Sequence, residues 1–267
     1  HIAGFFVAMY LTYISSTQIL IANPRDTDHI IHEMIDKKIT VYSSVPTLFL
    51  LVARNPKSKE IPSEILDNIT LYISGAAPFP AEAVRDFEKQ FHSENKFVEV
   101  YGMTETAVLV SASPAIGKKK IGTVGLPLPD TEMKLVDVET GEDVEIGKPG
   151  EVCVKGPQVA RGYHKKPEET KKAFDKDGWL RTGDVGIFDE EGYLRIVDRT
   201  KDMLSISGFK VYSVHVEDIM IKHPNIEMMA IIGLPDKDRP GSEIVKAVIQ
   251  LKEGIEATNR NKVGTLL

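Results

Sequence analysis

The sequence predicts an α/β protein with three successive regions. In the first hundred residues, short β-branched segments alternate with segments whose apolar residues recur every three to four positions, which is typical of a mostly parallel sheet. From about residue 120, strands punctuated by glycine and proline indicate a β-rich subdomain. After Asp198 the pattern is mixed α+β. We therefore expect a domain boundary at Asp198-Arg199, between residues 1–198 and residues 199–267.

The elements of the parallel sheet are expected in the first hundred residues. Asp26 is placed to cap a helix with one buried apolar face, and Pro46 and Pro80 to open two more helices, where a missing amide donor does no harm. Residues 1–24 carry no Asp, Glu, Lys or Arg, and we expect a buried helix there that leads into a buried strand. The predicted strands are 19–21, 39–41, 69–73 and 97–100, with a polar loop at 55–60.

The later regions are predicted to be rich in strands. One helix, at residues 167–174, interrupts the β-rich subdomain, and in the third region Ser213 is expected to cap a helix that runs through Lys222. The predicted strands are 132–137, 151–155, 179–181, 185–189 and 193–198, followed by 203–206, 228–232 and 244–251.

Composition and charge exclude several classes of protein. The 267 residues are 42% hydrophobic and 27% charged, which is typical of an ordinary globular protein rather than a disordered one. The net charge of -6 argues against a nucleic-acid partner, because affinity for a phosphate backbone needs a concentrated basic surface. The single cysteine, Cys153, can form no disulfide within the chain, which favours a reduced compartment.

Two polar loops follow directly after predicted strands. They are Ser74-Gly75-Ala76-Ala77 and Tyr101-Gly102-Met103-Thr104-Glu105. Since ligands of parallel sheets bind at the carboxyl ends of strands, we expect both loops to line one crevice. Together with Thr182-Gly183-Asp184 and with Asp198-Arg199-Thr200-Lys201-Asp202, they supply an aromatic face, hydroxyls, carboxylates and cations. This set of groups is suited to holding a nucleotide.

These motifs resemble the signatures of the adenylate-forming superfamily, which includes acyl-CoA synthetases, firefly luciferase and peptide-synthetase adenylation domains. The stretch from Tyr101 to Glu105 is similar to its tyrosine-glycine-x-threonine-glutamate signature. Within the superfamily the chain is most similar to bacterial long-chain fatty-acid CoA ligases, and the resemblance covers residues 1 to about 252. The other segments that carry it are 23–26, 74–78, 150–159, 161–163, 178–184, 189–199 and 198–211.

The resemblance implies an ATP-dependent, AMP-forming acyl-CoA synthetase that joins a fatty acid to CoA through an acyl-adenylate, with Mg²⁺ as the metal. It implies that residues 1–198 are the C-terminal part of the large domain and that residues 199–267 belong to a small mobile α+β domain. The implied nucleotide residues are Tyr101 stacked on adenine, Gly75, Ala76, Ala77 and Gly102 along the purine, Thr104 at the α-phosphate, Glu105 with Thr104 at Mg²⁺, Asp184 on the ribose hydroxyls, and Arg199 near ribose and phosphate.

Further roles are implied outside the nucleotide site. Asp198, with Lys201, would form the hinge about which the small domain turns. Gly208 and Lys210 would lie along the CoA channel, while His1 and Gly4 would lie at the acyl pocket, all by resemblance.

The 267 residues lack two elements of the family pattern. Nothing corresponds to the glycine-rich phosphate loop that ends in lysine, or to the catalytic lysine near the family's C-terminus. Ser205 also stands where some relatives have a basic residue. We therefore expect an interior portion of a longer ligase, truncated in its small domain and inactive in adenylate formation by itself.

Two alternatives to the long-chain ligase stay open. One is a noncatalytic remnant of the same fold that binds AMP, acyl chains or a partner, and the other is a medium-chain or aryl acid CoA ligase. Taken singly, Tyr101 could be a core aromatic residue, Glu105 a solvated carboxylate and Asp184 the acceptor of a turn. We expect a cytoplasmic protein, and the sequence leaves peripheral contact with the inner membrane face and the oligomeric state open.

Overall fold

The computed structural model describes residues 2–207 and 209–255 of the chain. His1, Gly208 and residues 256–267 lie outside that part. The chain divides into two compact units. The domain boundary at Asp198-Arg199 stays a prediction. Unit 1 comprises His1–Lys134, Cys153–Arg181 and Phe188–Arg195, and unit 2 comprises Leu135–Val152, Thr182–Ile187 and Ile196–Leu267.

Helices and strands alternate along the first hundred residues, as the sequence predicts. The α-helices are α1 (Ile2–Tyr13), α2 (Thr27–Asp36), α3 (Pro46–Arg54), α4 (Ser63–Asn68), α5 (Ala81–Gln90), α6 (Pro167–Ala173) and α7 (Ser213–Met220), and 3₁₀ helices cover Pro56–Glu60 and Thr104–Thr106. The strands are β1 (Val41–Ser44), β2 (Leu71–Ser74), β3 (Phe97–Tyr101), β4 (Ser111–Ala112), β5 (Leu126–Pro127), β6 (Glu132–Val136), β7 (Gly150–Lys155), β8 (Leu180–Phe188), β9 (Leu194–Arg199), β10 (Leu204–Ile206), β11 (Phe209–Val211), β12 (Ile226–Pro235) and β13 (Glu243–Leu251).

A five-stranded sheet in the order β1-β2-β3-β4-β5 organises unit 1. Strands β1, β2 and β3 are parallel, and Ser74 pairs with both Ser44 and Glu99. Strands β4 and β5 add antiparallel pairs beyond β3, with Tyr101 opposite Ser111. The predicted α/β class is confirmed, and β1, β2 and β3 form its parallel part. The antiparallel strands β4 and β5 have two residues each, which is too short for a sequence pattern to indicate.

Aromatic side chains form the centre of the unit 1 core. The ring of Phe49 meets those of Phe87 and Phe97 edge to face at centroid distances of 5.1 and 5.3 Å, and Phe87 stacks on Phe91 at 4.2 Å. Such geometries are preferred because the ring edge is positive and the ring face negative. Helix α5 thereby packs against the start of β3 through Phe87, one of the residues of its predicted apolar face.

Local signals at the helix ends act as predicted. The Asp26 carboxylate accepts a hydrogen bond of 3.0 Å from the His29 amide and so caps α2, which buries Ile30, Ile31 and Met34. Pro46 is the first residue of α3, where no backbone donor is needed.

Among the described residues, three further sheets follow in the sequence. The four-stranded sheet has the order β6-β7-β8-β9, β10 pairs with β11, and β12 pairs with β13. Residues 179–181 and 185–189, predicted as two strands, belong to one continuous strand, β8, because Gly183 continues the strand at φ +76° rather than ending it.

The predictions for the chain start and for residues 55–60 are wrong. Residues 19–21 form no strand, and no described residue of α1 is buried, with Phe5 at 65% exposure. The apolar residues of α1 are distributed around the whole helix and not along one face. Hydropathy alone does not specify a segment against which the helix packs. Residues 56–60 form a 3₁₀ helix instead of an irregular loop, capped by the Asn55 side chain, which accepts from the Lys57 amide at 2.9 Å.

No helix among the described residues is both long and apolar enough to cross a bilayer.

Truncation of the aromatic core is expected to destabilise unit 1 strongly. Phe87→Ala removes a side chain that is 1% exposed, and we expect a loss of about 3–5 kcal/mol of unfolding free energy. Phe5→Ala, at 65% exposure, is the matched control and should cost less than about 1 kcal/mol. Urea unfolding followed by the fluorescence of Trp179, the single tryptophan, measures both. Equal losses would contradict this account of the core.

Candidate functional site

The turn after β3 is fixed by one buried hydroxyl group. Thr106 is fully buried, and its Oγ1 accepts from the Met103 amide and donates to the Met103 carbonyl, each at 3.0 Å. This short-range pair of hydrogen bonds closes the 3₁₀ helix Thr104–Thr106 directly after Tyr101. Thr104 is consequently exposed and Glu105 partly buried, so both side chains are presented on a fixed turn.

Backbone strain follows the same turn. Ala107 and Val108 have φ angles of +48° and +95°, and positive φ is an outlier for a β-branched residue. A Cβ atom at Gly102 would overlap the carbonyl group of Val108, so only glycine fits where the chain passes itself. Strain of this kind is concentrated at functional sites.

The loop after β2 lies at the same edge of the sheet. Because Ser74 pairs with Glu99 in parallel register, Gly75 follows β2 beside Val100, and a Cβ atom on Gly75 would lie 2.7 Å from Val100 Cγ2. Ala76 adopts a left-handed φ of +69° and is exposed together with Ala77. The structure therefore places both predicted loops at neighbouring strand ends of unit 1.

Two buried hydroxyl groups lie beside these loops without a partner. Ser74 Oγ and Ser111 Oγ accept and donate no hydrogen bond within the part of the chain that the structure describes. Ser74 precedes Gly75, and Ser111 pairs with Tyr101 across the sheet. Because buried polar groups are normally hydrogen-bonded, this edge fits a ligand with polar atoms of its own.

Glu105 is held by residues 160–163, which lie at least 55 residues further along the chain. Its carbonyl accepts from the Ala160 amide at 2.7 Å, and its carboxylate Oε1 accepts from the Tyr163 phenol at 2.8 Å. Burial and the Glu105 carboxylate both raise the pKa of Tyr163, so the phenol stays protonated and acts as the donor. The sequence singles out the motif of Tyr163 but gives that residue no role, since its partner is distant along the chain.

A second cluster surrounds Asp184 in unit 2. The Gly183 amide donates to Glu151 Oε1 at 3.1 Å, and the Gly183 carbonyl accepts from the Thr200 amide at 2.8 Å. Arg199 Nε lies 3.3 Å from Asp184 Oδ1, and the two side chains are 59% and 12% exposed. The structure thus joins two of the predicted nucleotide residues in an ion pair. Sequence reasoning predicts neither this pair nor the role of Glu151.

Asp198 bonds to the start of α7. Its Oδ2 accepts from the Ser213 amide at 2.6 Å and from the Ser213 hydroxyl at 3.1 Å, and its Oδ1 accepts from the Arg199 amide at 2.7 Å. The prediction that Ser213 caps α7 is wrong, because Ser213 is the first helical residue and its hydroxyl donates to this buried carboxylate. Asp198 is 4% exposed, and its predicted hinge role stays a prediction.

The remaining predicted residues are dispersed. Lys210 Nζ forms an ion pair of 3.2 Å with Glu139 in unit 2, and Lys201 is exposed. Gly4 is an exposed residue of α1. His1 and Gly208 lie outside the described residues, so the acyl-pocket and CoA-channel assignments stay predictions.

The comparison with protein families is decisive for the identity of the family. Residues 1–164, more than half of the chain, match the family described as "AMP-binding enzyme". The chain belongs to the AMP-binding enzyme family. The match includes the Tyr101–Glu105 turn and Tyr163.

Curated relatives of this AMP-binding enzyme chain are fatty-acid ligases and a luciferase. It is 39% identical to long-chain-fatty-acid–CoA ligases of Escherichia coli O6:H1 over 90% of the chain and of Bacillus subtilis over 84%. It is 38% identical to luciferin 4-monooxygenase of Photinus pyralis over 85% of the chain. The matches cover 41%, 39% and 40% of these relatives, so the chain spans about two fifths of their length.

Solved structures share the fold. ATP-bound MatB from Rhodopseudomonas palustris superposes with a TM-score of 0.87 at 34% identity, covering 96% of this chain and 49% of MatB. The O-succinylbenzoate coenzyme A synthetase MenE from Bacillus subtilis, in complex with AMP, gives 0.78 at 25% identity, covering 96% and 50%. The α/β fold class is therefore that of adenylate-forming enzymes.

Glu99 carries a partly buried carboxyl group and is not among the site residues predicted from the sequence. It lies on β3 two residues before Tyr101, and its Oε1 accepts from the Gly122 amide at 3.2 Å. Burial raises the pKa of Glu99 to about 7, while the Gly122 hydrogen bond opposes the shift. A charged residue flanked by Val98 and Val100 in an apolar strand is the signal that could have indicated it.

The raised pKa predicts that Glu99 makes the AMP-binding enzyme chain less stable as pH rises. The folded chain binds the Glu99 proton more tightly than the unfolded chain, so this stabilisation is complete below the ordinary pKa of 4.5 and is lost through pH 7. We expect a contribution of about 3 kcal/mol to disappear between pH 4 and pH 8. Glu99→Gln keeps an acceptor for Gly122 but cannot ionise, so its unfolding free energy should lack this decline. Urea unfolding at pH 5 and 8 makes the comparison, and parallel pH profiles would refute the shift.

Proposed function

We propose that this chain serves in the activation of long-chain fatty acids, in which fatty acid, ATP and CoA give acyl-CoA, AMP and pyrophosphate through an acyl-adenylate. The observation that carries the proposal is the 39% identity to a long-chain-fatty-acid–CoA ligase over 90% of the chain. The fixed turn from Tyr101 to Glu105 and the Asp184 cluster support it, because they present groups that a nucleotide requires.

The nucleotide roles follow from the groups that the two clusters present. We propose that Tyr101 stacks on adenine and that the backbone from Gly75 to Ala77 and at Gly102 approaches the purine. The unpartnered hydroxyls of Ser74 and Ser111 beside them support a polar ligand at this edge. Asp184 is proposed to accept hydrogen bonds from the ribose hydroxyls, with Arg199 holding the carboxylate in place and adding a cation.

Thr104 and Glu105 fit a magnesium ion that is bound together with phosphate. Mg²⁺ keeps several waters and takes one or two carboxylates plus substrate phosphates rather than a full protein cage. Glu105 supplies one carboxylate and Thr104 one hydroxyl, and no larger cluster of metal-ligating side chains occurs among the described residues. When bound, the ion would neutralise phosphate charge.

The chemical steps need positioning and charge neutralisation. The fatty-acid carboxylate attacks the α-phosphorus and pyrophosphate leaves, after which the CoA thiol attacks the acyl carbonyl and AMP leaves. We propose that the exposed Thr104 hydroxyl donates to an α-phosphate oxygen, which gains charge in the first step. The strained turn that carries Thr104 would preorganise this donor.

A second candidate function is an aryl acid CoA ligase. The anthranilate CoA ligase AuaEII, in complex with anthranoyl-AMP, superposes with a TM-score of 0.79 at 26% identity. The lower identity ranks it behind the long-chain assignment.

We also propose that the protein acts in the cytoplasm and makes peripheral contact with the inner membrane face. The absence of any internal disulfide from a chain with one cysteine, and the partition of long-chain fatty acids into membranes, support this location. Fractionation of cells at low and high salt tests it, and complete recovery in the membrane fraction at both would contradict it.

The nucleotide roles predict a measurable affinity of the 267-residue chain for AMP. Asp184→Asn, which removes the charge of a ribose acceptor, should weaken AMP binding by about tenfold or more, since hydrogen bonds to charged groups contribute about 1.5–3 kcal/mol. Tyr101→Ala should lose a similar amount, because stacking of one base is worth about 1–3 kcal/mol. Isothermal titration calorimetry at constant salt measures both.

The matched control for this titration is Asp236→Asn. Asp236 is another unit 2 carboxylate, which closes a turn by accepting from the Asp238 amide at 2.9 Å and has no proposed nucleotide role. It should bind AMP as the wild type does. Absence of AMP heat with the wild-type chain would refute the nucleotide roles and favour a noncatalytic remnant that binds a partner instead of AMP.

The acyl specificity is tested with non-hydrolysable acyl-adenylate analogues. Each buried methylene contributes about 0.8 kcal/mol, so the hexadecanoyl analogue should bind at least about tenfold more tightly than the benzoyl analogue. Competition against a fluorescent AMP derivative gives both affinities. Tighter binding of the benzoyl analogue would favour the aryl ligase. Hexadecanoyl-CoA formation by the product of the complete gene tests the reaction itself, and no ATP-dependent thioester would refute it.

A further inference from the structure

The segment from Ala160 to Tyr163 holds Glu105 at two points. The Ala160 amide donates to the Glu105 carbonyl at 2.7 Å, and the Tyr163 phenol donates to Glu105 Oε1 at 2.8 Å. The first bond fixes the main chain and the second fixes the end of the side chain. A partly exposed glutamate otherwise samples several rotamers, so this pair of contacts selects one carboxylate orientation.

The Tyr163 ring is itself held from two directions. The Tyr163 amide donates to Oγ1 of Thr170 on α6 at 2.8 Å, and the same hydroxyl donates to the carbonyl of Lys166, the residue before α6, at 2.8 Å. The ring meets Phe174 edge to face at 6.0 Å. These contacts fix the Tyr163 backbone and its ring, and so fix the position from which the phenol donates to Glu105.

Close packing in front of Tyr163 requires glycine. Gly162 has a φ of +143°, and a Cβ atom there would lie 2.5 Å from Thr170 Cγ2. The Arg161-Gly162-Tyr163 motif thus brings the backbone against Thr170, and this contact turns the Tyr163 side chain toward Glu105. The motif therefore orients Tyr163, a role that the resemblance to the family does not imply.

The hydrogen bond uses only one oxygen of the carboxylate. Glu105 Oε2 has no hydrogen-bond partner among the described residues, so it remains available to a cation or to water. A neutral donor orients a carboxylate without offsetting its charge, whereas a lysine or arginine would offset it. The Glu105 carboxylate is therefore both charged and fixed in orientation, as a ligand of a metal ion should be.

We propose that Tyr163 is a positioning residue for Glu105, whose phenol orients the carboxylate toward a divalent cation bound with the nucleotide phosphates. The inference rests on the metal role of Glu105 in the proposed function. Outer hydrogen-bond partners of metal ligands typically change metal affinity by about 10–100-fold, and the exposure of this pair places the effect near the lower limit.

The experiment compares ATP affinity with Mg²⁺ and with EDTA in the 267-residue chain. Tyr163→Phe removes only the phenolic hydroxyl and keeps the ring beside Phe174. It should lower ATP affinity about tenfold in Mg²⁺, and leave ATP affinity in EDTA within about twofold, because the phenol acts through the metal ligand. A general loss of structure would lower both affinities equally.

A matched control and a double variant complete the test. Tyr193→Phe also removes a phenolic hydroxyl, which donates to the Lys118 carbonyl at 2.6 Å and does not bond Glu105. It should leave both affinities unchanged. Glu105→Gln should abolish the gain in ATP affinity that Mg²⁺ provides. In the Glu105→Gln background, Tyr163→Phe should have no further effect, since the two residues act as one unit.

The outcomes separate this inference from the proposed function. If Glu105→Gln loses the Mg²⁺ effect while Tyr163→Phe behaves like Tyr193→Phe, the positioning role is wrong and the metal role of Glu105 stands. An equal loss in EDTA and in Mg²⁺ for Tyr163→Phe also overturns the positioning role. If Glu105→Gln keeps the full Mg²⁺ effect, or if the wild-type chain itself shows none, the metal role fails and the inference fails with it.

Discussion

The parallel pairing of β2 with β3 is the constraint on which the candidate site of unit 1 depends. The register that joins Ser74 to Glu99 sets Gly75 against Val100 and places both strand-end loops at one edge of the sheet. A slip of one residue would turn every β3 side chain to the opposite face and separate the loops. The aromatic core anchors this register, because Phe97 at the start of β3 packs against Phe49 and Phe87.

Both polar clusters use the same physical device. In each, hydrogen bonds fix a backbone segment, which is a turn in unit 1 and part of strand β8 in unit 2, and an acidic side chain of that segment meets a partner from elsewhere in the chain. Thr106 closes the turn before Tyr163 reaches Glu105, and in unit 2 the bonds to Gly183 hold the segment in which Asp184 meets Arg199. An oriented carboxylate suits the proposed metal and ribose contacts better than a mobile one, because less conformational freedom is lost when the ligand binds.

The fold class by itself does not determine which acid an adenylate-forming enzyme uses. Fold class is shared by adenylate-forming enzymes with quite different acids, as the names MenE and luciferin 4-monooxygenase illustrate. Specificity for the acid therefore has to come from residues of the acyl pocket rather than from the strand order. The proposed nucleotide site of unit 1, in contrast, depends on backbone geometry that the parallel sheet supplies directly.

The sequence by itself determined what depends on neighbouring residues: the cap of α2 at Asp26, the proline start of α3, the buried face of α5, the parallel α/β order and the family motifs. These features follow from local spacing and propensity. Only the tertiary structure decided that α1 is unburied, that Ser213 donates to Asp198, that Arg199 pairs with Asp184 and that Tyr163 bonds Glu105 across 58 residues. Such contacts depend on how distant segments pack, and no local pattern encodes the distance between them.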